Sequence, residues 1–135
     1  MLAQNGAQVS ISGTKMLGNG SGVFAYGTTA TTTTVIVSDS IVSGGSEGVR
    51  AYATLAGAIA RIFVTRCTIE GTTIALDSET NSLGSALVSV SGSMITNNFN
   101  AWYQFAAGSV VKSLGNNHML DNTSTFGVLT PASLQ

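Results

Sequence analysis

Apolar and polar residues alternate along four short segments of this chain. The segments contain the pairs Val9/Ile11, Val35/Val37, Ile62/Val64 and Val88/Val90, each separated by one residue. A period of two residues is typical of a β-strand with one buried face. The pattern therefore predicts four equivalent strands.

These strands belong to a repeat. Ile11, Val37, Val64 and Val90 occupy the same position in successive copies, and each copy is about 26 residues long. A fifth copy, over residues 110–122, fits with about one residue of slippage. A repeat of this length is typical of a solenoid, in which each copy forms one rung and stacks on its neighbours.

Each copy contains more than one strand. A small polar pair, such as Ser38-Asp39, follows the first strand and predicts a tight bend. A second short strand comes next, and it ends at Gly, Asn or Thr, which suit a further bend. A third alternation completes the copy, and we align its inward residues as Val23/Ala25, Val49/Ala51, Ile74/Leu76 and Trp102/Gln104.

Helix has little support in this sequence, because Ser, Thr, Asn and Gly dominate it. Residues 53–63 could be helical by periodicity alone, and we interpret them as a loop followed by a strand. We therefore expect an all-β parallel β-helix (solenoid) of about five rungs, with three short strands per rung. Equivalent side chains would stack at about 4.8 Å, so that Ile11, Val37, Val64 and Val90 form one inner column.

Composition agrees with a single folded domain. The chain has 135 residues, of which 44% are hydrophobic and 8% are charged, and its formal net charge is -1. We interpret residues 1–135 as one domain, with the C-terminal part of a longer protein as the alternative. No basic cluster predicts a nucleic-acid partner, and no apolar run predicts a membrane span or membrane partner. We expect no cofactor.

Two segments, VSDSIVSGGSEGVRAYA and SLGNNHMLDNTSTFGVLTPASLQ, carry a resemblance to a known family. They are similar to bacterial right-handed parallel β-helix repeat proteins of the pectate-lyase-like superfamily, from about residue 7 to Gln135. The resemblance implies a right-handed helix, and a secreted or cell-surface location if the native chain is longer. It does not define a function, because the fold carries polysaccharide lyases, hydrolases, epimerases and adhesins.

The acidic residues predict no catalytic site. Polysaccharide hydrolases bring carboxylates together on one face, whereas the alignment places Asp39 beside Arg66, which we interpret as a surface ion pair. Asp77 and Glu79 share one side of a strand. We interpret them as part of a solvated loop, with a calcium site as the alternative.

The remaining reactive side chains have structural interpretations. His118 precedes Asp121 by three residues, but no nucleophile accompanies them, so we expect a surface histidine. Cys67 shares an inward column of small residues with Ser40 and Ser93, which predicts a buried, inert thiol. Asparagines in 97–100 and 115–117 are expected to form amide ladders at the bends. No spacing predicts a metal site.

Outward residues form candidate contact surfaces. On the third strands we place Phe24, Arg50, Ala75 and Tyr103, and on the first strands Ile36 stacks over Phe63. Aromatic rings beside arginine can stack on sugars, but a stacked apolar pair outside a solenoid favours a protein interface.

We therefore expect a non-catalytic structural or binding module that forms a homo-oligomer through an open end or a flat flank. The alternative is a polysaccharide-active protein, lyase-like or hydrolase-like, or a carbohydrate-binding protein.

Overall fold

The computed structural model describes residues 1–81 and 83–132, and every regular element in them is a β-strand. In chain order the strands are β1 (Leu2–Gln4), β2 (Gln8–Ser12), β3 (Lys15–Gly27), β4 (Thr32–Ser38), β5 (Ile41–Ala53), β6 (Ile59–Thr65), β7 (Thr68–Thr80), β8 (Ser85–Ser91), β9 (Met94–Thr96), β10 (Asn100–Phe105), β11 (Ser109–Ser113), β12 (His118–Leu120), β13 (Ser124–Phe126) and β14 (Leu129–Pro131). The predicted all-β class is confirmed. Residues 133–135, the end of the terminal motif quoted above, lie outside the described residues.

The strands form two parallel sheets. Sheet A has the order β1-β3-β5-β7-β10-β13, and β9 pairs with both β7 and β12. Sheet B has the order β14-β11-β8-β6-β4-β2. The chain passes from one sheet to the other in every rung, so it winds into a solenoid of about five rungs. Within the described residues no helix is long and apolar enough to cross a membrane.

The predicted column of aliphatic side chains is confirmed. Ile11 pairs with Val37, Val37 with Val64, and Val64 with Val90. The three valines are at most 1% exposed. These side chains form the centre of a continuous core between the two sheets.

The fifth rung fits the repeat with the predicted slippage. Val111 pairs with Val88, and further along the same rung His118 pairs with Met94. The offset between the paired residues is therefore one residue larger at the second position than at the first.

Each bend contains a residue in the left-handed conformation, and at Gly44 the next residue, Gly45, also has a positive φ. The first bend lies at Gly13, Asp39, Arg66 and Gly92, whose φ angles are between 51 and 60°. The second bend lies at Gly18, Gly44, Gly71 and Asn97, whose φ angles are between 55 and 70°. In β3, β5 and β7 the strand continues through the second bend, so the predicted second and third strands form one strand of 13 residues. They are separate strands in the fourth rung, as β9 and β10.

The predicted alignment of the third strand was wrong in one rung. Leu76 pairs with Val49, and Asp77, rather than Ala75, pairs with Arg50. Ala75 is fully buried and does not point outward. Ala75 and Leu76 are adjacent and both face the core, so the alternation changes phase between them. A period-two pattern does not reveal such a change of phase.

Candidate functional site

The outer side of sheet A carries most of the aromatic residues. Phe24, Arg50, Asp77 and Tyr103 pair in successive strands and form one column, and Tyr26, Tyr52, Glu79 and Phe105 form the next. We call these two columns, with the adjoining Glu47 and Phe126, the aromatic face. All three tyrosines and three of the five phenylalanines lie on it.

Three carboxylates converge on Arg50 within this face. The Nε atom of Arg50 lies 3.3 Å from Asp77 Oδ2, and its Nη2 lies 3.4 Å from Glu79 Oε2. Its Nη1 is 3.9 Å from Glu47 Oε1. Glu47 also accepts a hydrogen bond of 2.6 Å from the Ser21 hydroxyl in the adjacent strand. The cluster therefore joins three successive strands of sheet A: β3, β5 and β7.

Aromatic rings complete the surroundings of Arg50. Its Cζ atom lies 5.2 Å from the ring centroid of Phe24 and 5.1 Å from that of Tyr52, which are cation–π distances. The guanidinium of Arg50 is therefore the positive charge around which the three acidic side chains lie. Among the described residues, no group of three or more His, Cys, Asp or Glu side chains is arranged to hold a metal ion.

Asp77 is the buried member of the cluster. It is 0% exposed, and neither carboxyl oxygen has a hydrogen-bond partner among the described residues. Burial, reinforced by the charge of Glu79, raises the pKa of Asp77 to about 8, although the charge of Arg50 acts in the opposite direction. Burial therefore favours the protonated form of Asp77.

The predicted environment of Asp77 and Glu79 was wrong. Both residues belong to β7, whereas we expected a solvated loop, and Asp77 lies beneath the outer face. Glu47 joins them around Arg50, a contact that the sequence alignment did not predict. The mistaken alignment of the third strand is the cause, since it placed Ala75 beside Arg50.

The aromatic rings stack on one another along the solenoid. The ring centroids of Tyr26 and Tyr52 are 5.7 Å apart with an interplanar angle of 17°, and those of Tyr103 and Phe126 are 4.7 Å apart at 22°. Rings stacked in this way cover each other's faces and present their edges outward. A sugar needs an exposed ring face, so this geometry suits a protein surface better than a carbohydrate.

The predicted contact residues divide between the two sheets. Phe24, Arg50 and Tyr103 lie in one column of the aromatic face. Ile36 pairs with Phe63 on the outer side of sheet B, as predicted, and Ile36 is 47% exposed. The structure therefore shows two separate outer surfaces rather than one site.

Asp39 and Arg66 form the predicted surface ion pair. Arg66 Nε and Nη2 donate to Asp39 Oδ1 and Oδ2, both at 2.8 Å. These hydrogen bonds are the main reason why the pKa of Asp39 is lowered. The pair links neighbouring rungs at the first bend and is exposed.

Cys67 and His118 lie where the sequence predicted. Cys67 is buried, its backbone N–H donates to Ser93 Oγ at 3.1 Å, and burial raises the pKa of its thiol. His118 begins β12 and is exposed.

Comparison of the chain with protein families, with curated proteins and with solved structures gives no match.

Proposed function

We propose that this protein is a non-catalytic β-solenoid module that self-associates, and that the β2 edge of sheet B recruits the second copy. The observation that carries this proposal is the partial burial of the first rung. Val9 and Ile11 are only partly buried, whereas their partners Val35 and Val37 are 0% exposed. A further rung laid on β2 would bury both side chains and extend the two columns.

The backbone of β2 has hydrogen-bonding groups on its free side. The carbonyl of Ala7 accepts a hydrogen bond of 2.9 Å from Thr34 N in the neighbouring rung. Backbone groups of successive residues in a strand point to opposite sides. Those of Gln8, Ser10 and Ser12 therefore point away from β4, on the side of β2 that pairs with no described strand. Such an edge is a template for another strand.

A second copy of this chain fits the edge well. Each column of the solenoid stacks residues of similar size, so the next rung should repeat the alternation found in β2. In a folded second copy β4, β6 and β8 have a neighbour on both sides, so the strand that offers this alternation at an edge of sheet B is its own β2. A formal net charge of -1 adds little repulsion between copies.

Substitution of Ser10 tests this proposal. Ser10→Pro removes a backbone N–H on the free side of β2 and leaves the groups that face β4 in place. At about 0.5 M salt, which screens contacts between surface charges, we expect the wild type to sediment as a dimer or larger species. We expect Ser10→Pro to sediment as the 13.7 kDa monomer. Ser10→Thr keeps the N–H and is the matched control, which should associate like the wild type. A monomeric wild type, or equal association of the proline and threonine variants, would contradict the proposal.

Carbohydrate processing is the second candidate function, and the Arg50 cluster favours it. A protonated carboxyl beside other carboxylates is the arrangement that glycoside hydrolases use for proton transfer. Some proteins of the family that the sequence resembles act on polysaccharides, although the resemblance itself does not define a function. Asp77 is 0% exposed, however, so a substrate would have to displace Arg50 to reach it. We expect no new reducing ends and no unsaturated products when the protein is incubated with uronic-acid polymers, and their appearance would favour this candidate.

A further inference from the structure

The outer side of sheet B is basic and apolar. Its strands β2, β4, β6, β8 and β11 contain two basic residues, Arg61 and Lys112, and no acidic residue. Arg61, Leu87 and Val110 form one outer column, and Ile36, Phe63 and Lys112 belong to the next. We call these six side chains the basic face.

The aromatic face carries the opposite charge. Glu47, Asp77 and Glu79 surround one cation, Arg50. Even with Asp77 protonated, the two glutamates outnumber that cation, so the face is negative at neutral pH. Sheet A and sheet B therefore present outer faces of opposite sign.

The remaining charged residues do not change this difference in charge between the two faces. Asp39 and Arg66 neutralise each other at a bend. Asp121 is exposed and follows β12, at the second bend of the fifth rung. Lys15 and Glu70 lie in the first halves of β3 and β7, before the second bend and away from the aromatic face. The low net charge of the chain thus results from two oppositely charged faces rather than from an even mixture of charges.

We propose that the basic face of one copy docks side by side on the aromatic face of a second copy. Charge complementarity identifies the occupant, because each face carries the sign that the other lacks. Apolar groups add to both faces: Ile36 is 47% exposed on one, and Phe105 and Phe126 are 49% and 48% exposed on the other. The inference rests on the proposed self-association and adds a second surface to it. Because the two faces differ, the contact is heterologous and can extend beyond a dimer.

Paired charge reversals in a Ser10→Pro background test this contact, because the proline removes association through β2. One variant carries Arg61→Glu and Lys112→Glu, and the other carries Glu47→Lys and Glu79→Lys. At low salt the Ser10→Pro chain should associate, and each double reversal should weaken association at least about tenfold. An equimolar mixture of the two variants should associate again, because the acidic face of the first meets the basic face of the second.

Lys15→Glu and Glu70→Lys, in the same background, are the controls that change charge away from both faces, and they should associate like the Ser10→Pro chain. If the Glu47/Glu79 variant fails to fold by circular dichroism, Arg61→Gln with Lys112→Gln provides the test and should weaken association in the same direction. Persistent association of the Arg61/Lys112 variants at low salt would overturn the inference. A Ser10→Pro chain that is monomeric at low salt would also overturn the inference. In that case, association of the wild type at high salt would still support the proposed function.

Discussion

The side chain of Asn98 forms hydrogen bonds with several backbone groups at the second bend of the fourth rung. Its Nδ2 donates to Ile69 O at 3.1 Å and to Thr96 O at 2.9 Å. Its Oδ1 accepts from Thr72 N at 3.0 Å and from the Thr72 hydroxyl at 2.7 Å. Asn122 repeats the arrangement one rung later, where its Oδ1 accepts from Asn98 N at 3.1 Å. Asn98 belongs to the asparagines that the sequence predicted for such a ladder, whereas its partner Asn122 does not, and their hydrogen bonds join the two rungs.

Truncation of Asn98 should destabilise the fold. Asn98 is 2% exposed, and Asn98→Ala leaves buried groups of Thr72 and Ile69 without partners. Each such group costs about 1–3 kcal/mol, so we expect the free energy of unfolding to fall by at least about 2 kcal/mol. Urea unfolding followed by circular dichroism measures this change.

Asn19→Ala is the matched control, because Asn19 is exposed and, among the described residues, its amide donates only to Leu17 O within the same bend. Its effect should stay within about 0.5 kcal/mol. Equal effects of the two substitutions would show that Asn98 does not join the rungs.

Residue types at the bends could be predicted from the sequence because the same physical demand recurs in every rung. Thr14, Ser40, Cys67 and Ser93 share one column, and the backbone N–H of Thr14 donates to Ser40 Oγ at 3.1 Å just as Cys67 N donates to Ser93 Oγ. A small residue with a hydrogen-bonding side chain meets this demand. The recurrence therefore predicts Cys67 as a core residue, and Cys67 is buried.

At the scale of strands, the Arg50 cluster depends on the register of β7 against β5. Arg50 and Asp77 are paired residues, and Glu79 lies two positions further along the strand. The sequence did not predict this contact, because the alignment placed Ile74, which precedes the change of phase, beside Val49, whereas Leu76 pairs with Val49. Hydrophobic alternation identifies the faces of a strand but not the pairing of its outward residues.

The buried carboxyl of the cluster should make stability depend on pH. The pKa of Asp77 is raised from 3.8 to about 8 in the folded chain. Between these pH values the folded chain holds a proton that the unfolded chain has released, so the free energy of unfolding should fall as the pH rises from about 4 to about 8. The slope is at most about 1.4 kcal/mol per pH unit. Above about pH 8 this contribution should level off.

Asp77→Asn should remove this dependence, because the amide does not ionise. The variant should be more stable than the wild type at about pH 9, and denaturant unfolding at a series of pH values measures the difference. Glu70→Gln, which changes an acid outside the cluster, should keep the wild-type profile. A wild-type stability that rises between about pH 5 and about pH 8 would show that Asp77 is ionised in the folded protein.

At the scale of the whole molecule, the sequence repeat determines the solenoid shape but does not determine the binding partner. Ile11, Val37, Val64 and Val90 predicted the solenoid because stacking demands like residues at like positions. Outward residues such as Arg61 and Glu79 are free of that demand, so their types follow no period. Their grouping into two faces of opposite sign emerges only when the strands are placed in register.

Self-association is the central claim of this account, and sedimentation velocity of the unmodified chain between about 1 and about 100 µM tests it most directly. We predict that the weight-average mass rises with concentration from 13.7 kDa toward that of a dimer or a larger species. A mass that remains at 13.7 kDa over the whole range, at both low and high salt, would contradict the claim.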